Sequence, residues 1–88
     1  MNKEIENLEH IHGMFRYLFD NKKYKLAKTV LKSFNKNNSP AELHTIVMLL
    51  HPFQNHEIVG LEIKRLNRIL DSMVKKFNKE DREIAIEK

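Results

Sequence analysis

Apolar residues in this chain recur three and four positions apart, and no stretch alternates apolar and polar residues as a half-buried strand would. The 88 residues are enough for one small domain, and without cysteine no disulfide or thiolate metal site can hold it together. The sequence therefore predicts an all-α fold class. We expect a small four-helix bundle-like domain with a short charged C-terminal tail, held together by helix packing.

Turn and capping residues divide the apolar pattern into four helices. Asp20 or Asn21 is expected to cap the second helix, and the short junction there predicts an antiparallel hairpin. Pro52 ends the third helix, and Gly60 is a candidate for the start of the fourth. The predicted helices cover about residues 3–19, 21–36, 40–51 and, from residue 56 or 61, up to residue 77.

The sharpest local signal is the sequence from Ser39 to Glu42. Serine at the cap, Pro40 at the first helical position and glutamate three residues after the serine form the pattern of a capping box. Residues 78–88 are mostly charged and contain few apolar residues. We therefore expect a helical domain over residues 1–78 and a charged tail or short docking helix over residues 79–88.

Positive charge is concentrated in two segments. Residues 16–36 carry a net charge of +6 and residues 64–79 carry +5, whereas the other three stretches are mildly acidic. Clustered Lys and Arg on helices neutralise phosphates, so nucleic acid is a possible partner and a transcriptional regulator one alternative function. The candidate residues for this contact are Lys22, Lys25, Lys28, Lys32, Lys64, Arg65 and Arg68.

The third helix differs from the others because no Lys or Arg occurs between Asn37 and Ile63. Met48 and Leu49 fall on opposite sides of its apolar stripe, so at least one is expected to stay uncovered in so small a bundle. Phe53, just after Pro52, would extend the apolar surface. Because exposed apolar patches mark association, we predict a protein interface formed by Met48, Leu49 and Phe53, with a homodimer as one form of it.

Residue patterns for catalysis and metal binding are weak. His56 and Glu57 begin like a zinc-protease helix, but Gly60 occupies the position of the second histidine. Glu62 lies at the margin of the apolar seam. It is either a buried carboxylic acid, a residue at the edge of the bundle, or a partner of His12. We expect no enzyme activity, no catalytic residues, no metal site and no cofactor.

Taken together, these features predict a small non-enzymatic regulatory protein that acts by binding. No apolar segment reaches the length of a membrane span and no secretory leader is recognisable, so a cytoplasmic location is expected. Small basic four-helix bundles with a loose C-terminal tail also include bacteriocin immunity proteins. No residue motif supports that alternative, and similarity of architecture alone carries no function.

Overall fold

The chain forms four α-helices and one short 3-10 helix in a computed structural model that describes the backbone of residues 3–86 and the side chains of residues 5–79. No strand occurs within those residues, and the predicted all-α, bundle-like fold is confirmed. The elements are α1 Lys3–Asp20, α2 Tyr24–Lys32, α3 Pro40–Leu50, the 3-10 helix His51–Phe53 and α4 Gly60–Ile86.

Helices α1 and α2 form the predicted antiparallel hairpin, but its turn differs from the one predicted. The N–H groups of Lys22 and Lys23 donate to the carbonyls of Phe19 and Leu18, at 3.1 and 2.8 Å, and Lys22 has a φ of 56°. This is a Schellman ending with a left-handed residue after α1. Because of this turn, α2 begins only at Tyr24. Its N-cap residue is Lys23, which makes no side-chain capping hydrogen bond. The prediction that Asp20 or Asn21 caps α2 is therefore wrong.

Helix α2 ends at Lys32, four residues earlier than predicted. The Ser33 hydroxyl donates to the carbonyl of Val30 at 2.6 Å, so it competes for a backbone acceptor in the last turn. Asn35 and Asn38 then form a turn in which the Asn35 N–H donates to the Asn38 side chain at 2.9 Å. These local hydrogen bonds take the place of the backbone hydrogen bonds that would continue the helix, so α2 is only nine residues long.

Helix α3 begins with the predicted capping box. The Ser39 hydroxyl accepts from the N–H of Glu42 at 3.2 Å, and the Glu42 carboxylate accepts from the N–H of Ser39 at 3.0 Å. Pro40 occupies the first turn, where no intrahelical N–H is needed. The prediction of this helix start from sequence is confirmed.

Helix α4 begins at Gly60, one of the predicted starting points, and continues to Ile86, beyond the predicted end at Phe77. Residues 78–86 contain neither proline nor glycine and are rich in Lys, Glu and Arg, which are good helix formers. The backbone of the predicted tail is therefore helical and continuous with α4 from residue 79 to Ile86. The side chains of residues 80–88 lie outside the described residues.

The core is formed mainly where α3 packs against both α1 and α4. Its fully buried side chains include Phe15, Leu31, Leu43 and Leu66, and no polar side chain is buried among the residues described. The apolar seam of α4 is buried from Ile63 to Leu70, and Val59 in the turn before the helix is buried as well. Farther along α4, Val74 is 46% exposed and Phe77 is 56% exposed. The far half of α4 thus keeps an accessible apolar surface.

Candidate binding surfaces

The outer face of α3 carries an uncovered methionine. Leu43, Ile46 and Leu50 point into the core, whereas Met48 on the opposite side of the helix is 61% exposed. The flanking residues on this face, His44 and His51, are also exposed. We predicted that at least one of Met48 and Leu49 stays uncovered, and the exposure of Met48 confirms this. The surface has no Lys, Arg, Asp or Glu.

The other two predicted interface residues lie in a groove between α1 and α3. Leu49 is half-buried and lines a cavity of about 170 Å³ together with Phe15, Phe19 and Phe53. The Phe53 ring lies 4.6 Å from the ring of Phe19, centroid to centroid, within an aromatic cluster that also contains Tyr24 and His56. Leu49 and Phe53 therefore contribute to folding, and only part of each is available to a partner.

Of the seven candidate residues for nucleic-acid contact, five are exposed. Lys22, Lys25 and Lys32 lie on or beside α2, and Lys64 and Arg68 lie on α4. Lys28 is half-buried. None of these six side chains forms an ion pair with a carboxylate among the described side chains. Because α2 and α4 contact each other, the basic residues of two distant segments lie on neighbouring helices.

Arg65, the seventh candidate, has a structural role. Its Nη2 donates to the backbone carbonyls of Leu31 and Phe34, at 3.1 and 3.0 Å, and its Nε donates to the Glu62 carboxylate at 2.8 Å. The Leu31 carbonyl belongs to the last turn of α2 and the Phe34 carbonyl lies just after the helix, where a cation is favoured by the helix dipole. Glu62 thus pairs with Arg65 and orients it, rather than pairing with His12, which is exposed.

The two basic segments also lie close together at a second place, which the sequence did not predict. Lys36, in the loop after α2, and Lys76, on α4, line the same cavity of about 410 Å³, together with Met73 and Phe77. These residues are separated by about forty positions, so no local spacing connects them. The only signal in the sequence was that both segments are basic.

The histidines show no metal-binding arrangement in the part of the chain that is described. No three side chains of His, Asp or Glu there are grouped so as to hold an ion. His56 has a local role: its Nδ1 accepts from the N–H of Ile58 at 3.1 Å, and its ring lies 4.3 Å from that of Tyr24. His56 therefore belongs to the turn before α4, and of the predicted starts of the fourth helix the one at residue 56 is wrong.

The helices that the structure describes include none with both the length and the apolar composition required to cross a membrane. No protein-family model, curated protein or solved structure shows significant similarity to this chain.

Proposed function

We propose that this protein is a non-enzymatic, regulatory binding module that recognises a protein partner through the outer face of α3, and that one such partner is a second copy of the chain. The observation that supports this proposal is the exposure of Met48 on a helix face that has no Lys, Arg, Asp or Glu. Charged residues are depleted and methionine is enriched in the centres of protein interfaces.

The adjoining groove would complete the interface. Leu49 and Phe53 lie half-buried between α1 and α3, and Arg16 and Asp20 border the same cavity. An apolar centre with charged groups at its edge is the usual composition of an interface. In a two-fold symmetric dimer, Arg16 of one copy would face Asp20 of the other, and Asp20 of the first would face Arg16 of the second. Opposite charges would then meet at both edges of the interface.

Self-association is tested best at Met48, because a charge there leaves the core untouched. We expect the wild-type protein to show concentration-dependent dimers in sedimentation equilibrium. Met48→Glu should weaken dimerisation at least about tenfold, since an unpaired carboxylate would enter an apolar contact. Circular dichroism should remain unchanged.

Leu61→Glu is the matched control, because Leu61 is an apolar residue of α4 that is 76% exposed and lies outside the proposed surface. It should dimerise like the wild type. A wild-type protein that stays monomeric at all concentrations would contradict the homodimer. Equal weakening by Leu61→Glu would contradict the choice of surface.

A second candidate function is binding to nucleic acid. It is favoured by the adjacency of α2 and α4, which brings together exposed basic side chains without acidic partners among the described side chains. We expect any affinity for random duplex DNA to fall steeply with salt, because phosphate contacts release counterions. Reversal of Lys25, Lys28 and Lys32 to Glu should then abolish binding in a fluorescence-anisotropy titration.

The matched control reverses the three basic residues outside both segments, Lys3, Arg82 and Lys88, and so changes the net charge equally. If both triple variants lose affinity to the same extent, the binding reflects net charge and not the faces of α2 and α4. Negligible binding of the wild type at low salt would remove this candidate.

A further inference from the structure

A groove lies between the loop after α2 and the far half of α4, away from Met48. Two adjoining cavities of about 410 and 330 Å³ form it, and both are lined by Lys36, Met73 and Lys76. We refer to it as the loop–α4 groove. The other residues with described side chains that line it are Asn38, Pro40, Ile69, Ser72 and Phe77.

The walls of the loop–α4 groove are apolar and accessible. Pro40, Ile69 and Met73 are half-buried, and Phe77 exposes 56% of its surface to solvent. The two neutral polar side chains are already hydrogen-bonded within the chain: Asn38 accepts from Asn35, and Ser72 donates to the carbonyl of Arg68. The groove thus offers mainly apolar contacts from its walls.

The charged side chains that line the loop–α4 groove, among those described, are all positive. Lys36 and Lys76 are exposed, and neither forms an ion pair with a carboxylate of the side chains described. Among the residues whose side chains the structure describes, no Asp or Glu lines either cavity. The stretch of α4 from Ile69 to Phe77 spans eight residue steps, or about 12 Å along the helix. That length matches two turns of a bound helix.

We propose that the loop–α4 groove binds an acidic amphipathic peptide segment of a partner protein. Leucine-like side chains of the segment would pack on Met73 and Phe77, and its carboxylates would pair with Lys36 and Lys76. Charge complementarity is the reason for choosing an acidic segment. Aliphatic walls are the reason for choosing a peptide over nucleic acid, because bases stack on aromatic rings and Phe77 supplies only one. This surface is additional to the face of α3.

The test uses the full chain and a fluorescein-labelled helical peptide in which leucines at helical spacing alternate with glutamates. We expect saturable binding that weakens about tenfold or more for the double variant Lys36→Glu, Lys76→Glu, and also for Phe77→Ser. Replacing the peptide's leucines with serine, or its glutamates with glutamine, should weaken binding to the wild-type protein comparably, because both kinds of contact are needed.

The matched control is the double variant Lys25→Glu, Lys28→Glu, which changes the net charge equally on another helix and should bind the peptide as the wild type does. Methyl resonances of Met73 and Ile69 should shift on titration, while that of Met48 should not. The proposal is overturned if the peptide does not bind, if the control variant loses as much affinity, or if the Met48 methyl shifts instead. Tighter binding of a single-stranded oligonucleotide, lost in the Lys36, Lys76 variant, would also overturn it.

Discussion

Replacing Gly60 with alanine is expected to lower the free energy of unfolding by about 1 to 3 kcal/mol, as overpacking does elsewhere. A Cβ atom at Gly60 would lie 2.6 Å from the carbonyl oxygen of Gln54, 3.1 Å from its carbonyl carbon and 3.3 Å from that of Asn55. All three are backbone atoms of the turn before α4. They cannot give way as a flexible side chain does, so the turn itself must shift.

Gly13→Ala is the matched control for this prediction. Gly13 lies within α1, and a Cβ atom there would meet nothing within 4 Å beyond its chain neighbours and the backbone of its own helix. Because alanine is favoured over glycine inside a helix by about 1 kcal/mol, Gly13→Ala should stabilise the protein by up to that amount. For a domain of this size, 1 kcal/mol corresponds to a shift of roughly 4 to 8 °C in Tm.

In thermal unfolding followed by circular dichroism, Tm should therefore fall for Gly60→Ala and rise for Gly13→Ala. If Gly60→Ala raised Tm as Gly13→Ala does, the close approach of the Gln54 carbonyl to the start of α4 would be refuted.

Removal of the Arg65 side chain is expected to cost about 1 to 2 kcal/mol. Hydrogen bonds that involve a charged group contribute about 1.5 to 3 kcal/mol each when fully buried, but the Arg65 side chain is 32% exposed, and solvent screening reduces its contribution. In Arg65→Ala the carbonyl of Phe34 loses its hydrogen bond from Arg65, and the Glu62 carboxylate, only 16% exposed, loses its ion-pair partner.

The loss of stability caused by Arg65→Ala should be largest in α2. With nine residues, that helix is shorter than those that are stable alone in water, so contacts from other elements must hold its end. Hydrogen exchange should show a larger loss of protection in the amides of α2 than in those of α3. Arg65→Lys should recover part of the stability, because an ammonium keeps the charge but lacks the planar fork of donors.

Arg68→Ala is the matched control, because Arg68 is an exposed arginine on the same helix without a side-chain hydrogen bond among the described residues. Its stability should change by less than about 0.5 kcal/mol, as for most surface substitutions. Equal destabilisation by the two alanine variants would show that the bonds to the end of α2 do not stabilise the fold.

The candidate surfaces were predictable to different degrees. The angular positions of Met48 and Leu49 beside the apolar stripe predicted that at least one of them stays uncovered. That Met48 is the exposed one was decided by packing, because Leu49 lies against Phe15 and Phe19 of α1. The partial burial of Phe53 was not predictable, because its contact with Phe19 joins α1 to the residues after α3. Helical spacing describes one helix at a time and cannot assign contacts between helices.

Local interactions alone determined the all-α class, the hairpin of α1 and α2, the capping box at Ser39 and the start of α4 at Gly60, because each depends on residues only a few positions apart. Tertiary structure decided the rest. Arg65 reaches carbonyls 31 and 34 positions earlier, and Lys36 meets Lys76 in the loop–α4 groove. Which basic side chains serve the fold and which remain for a partner depends on how the helices pack against one another.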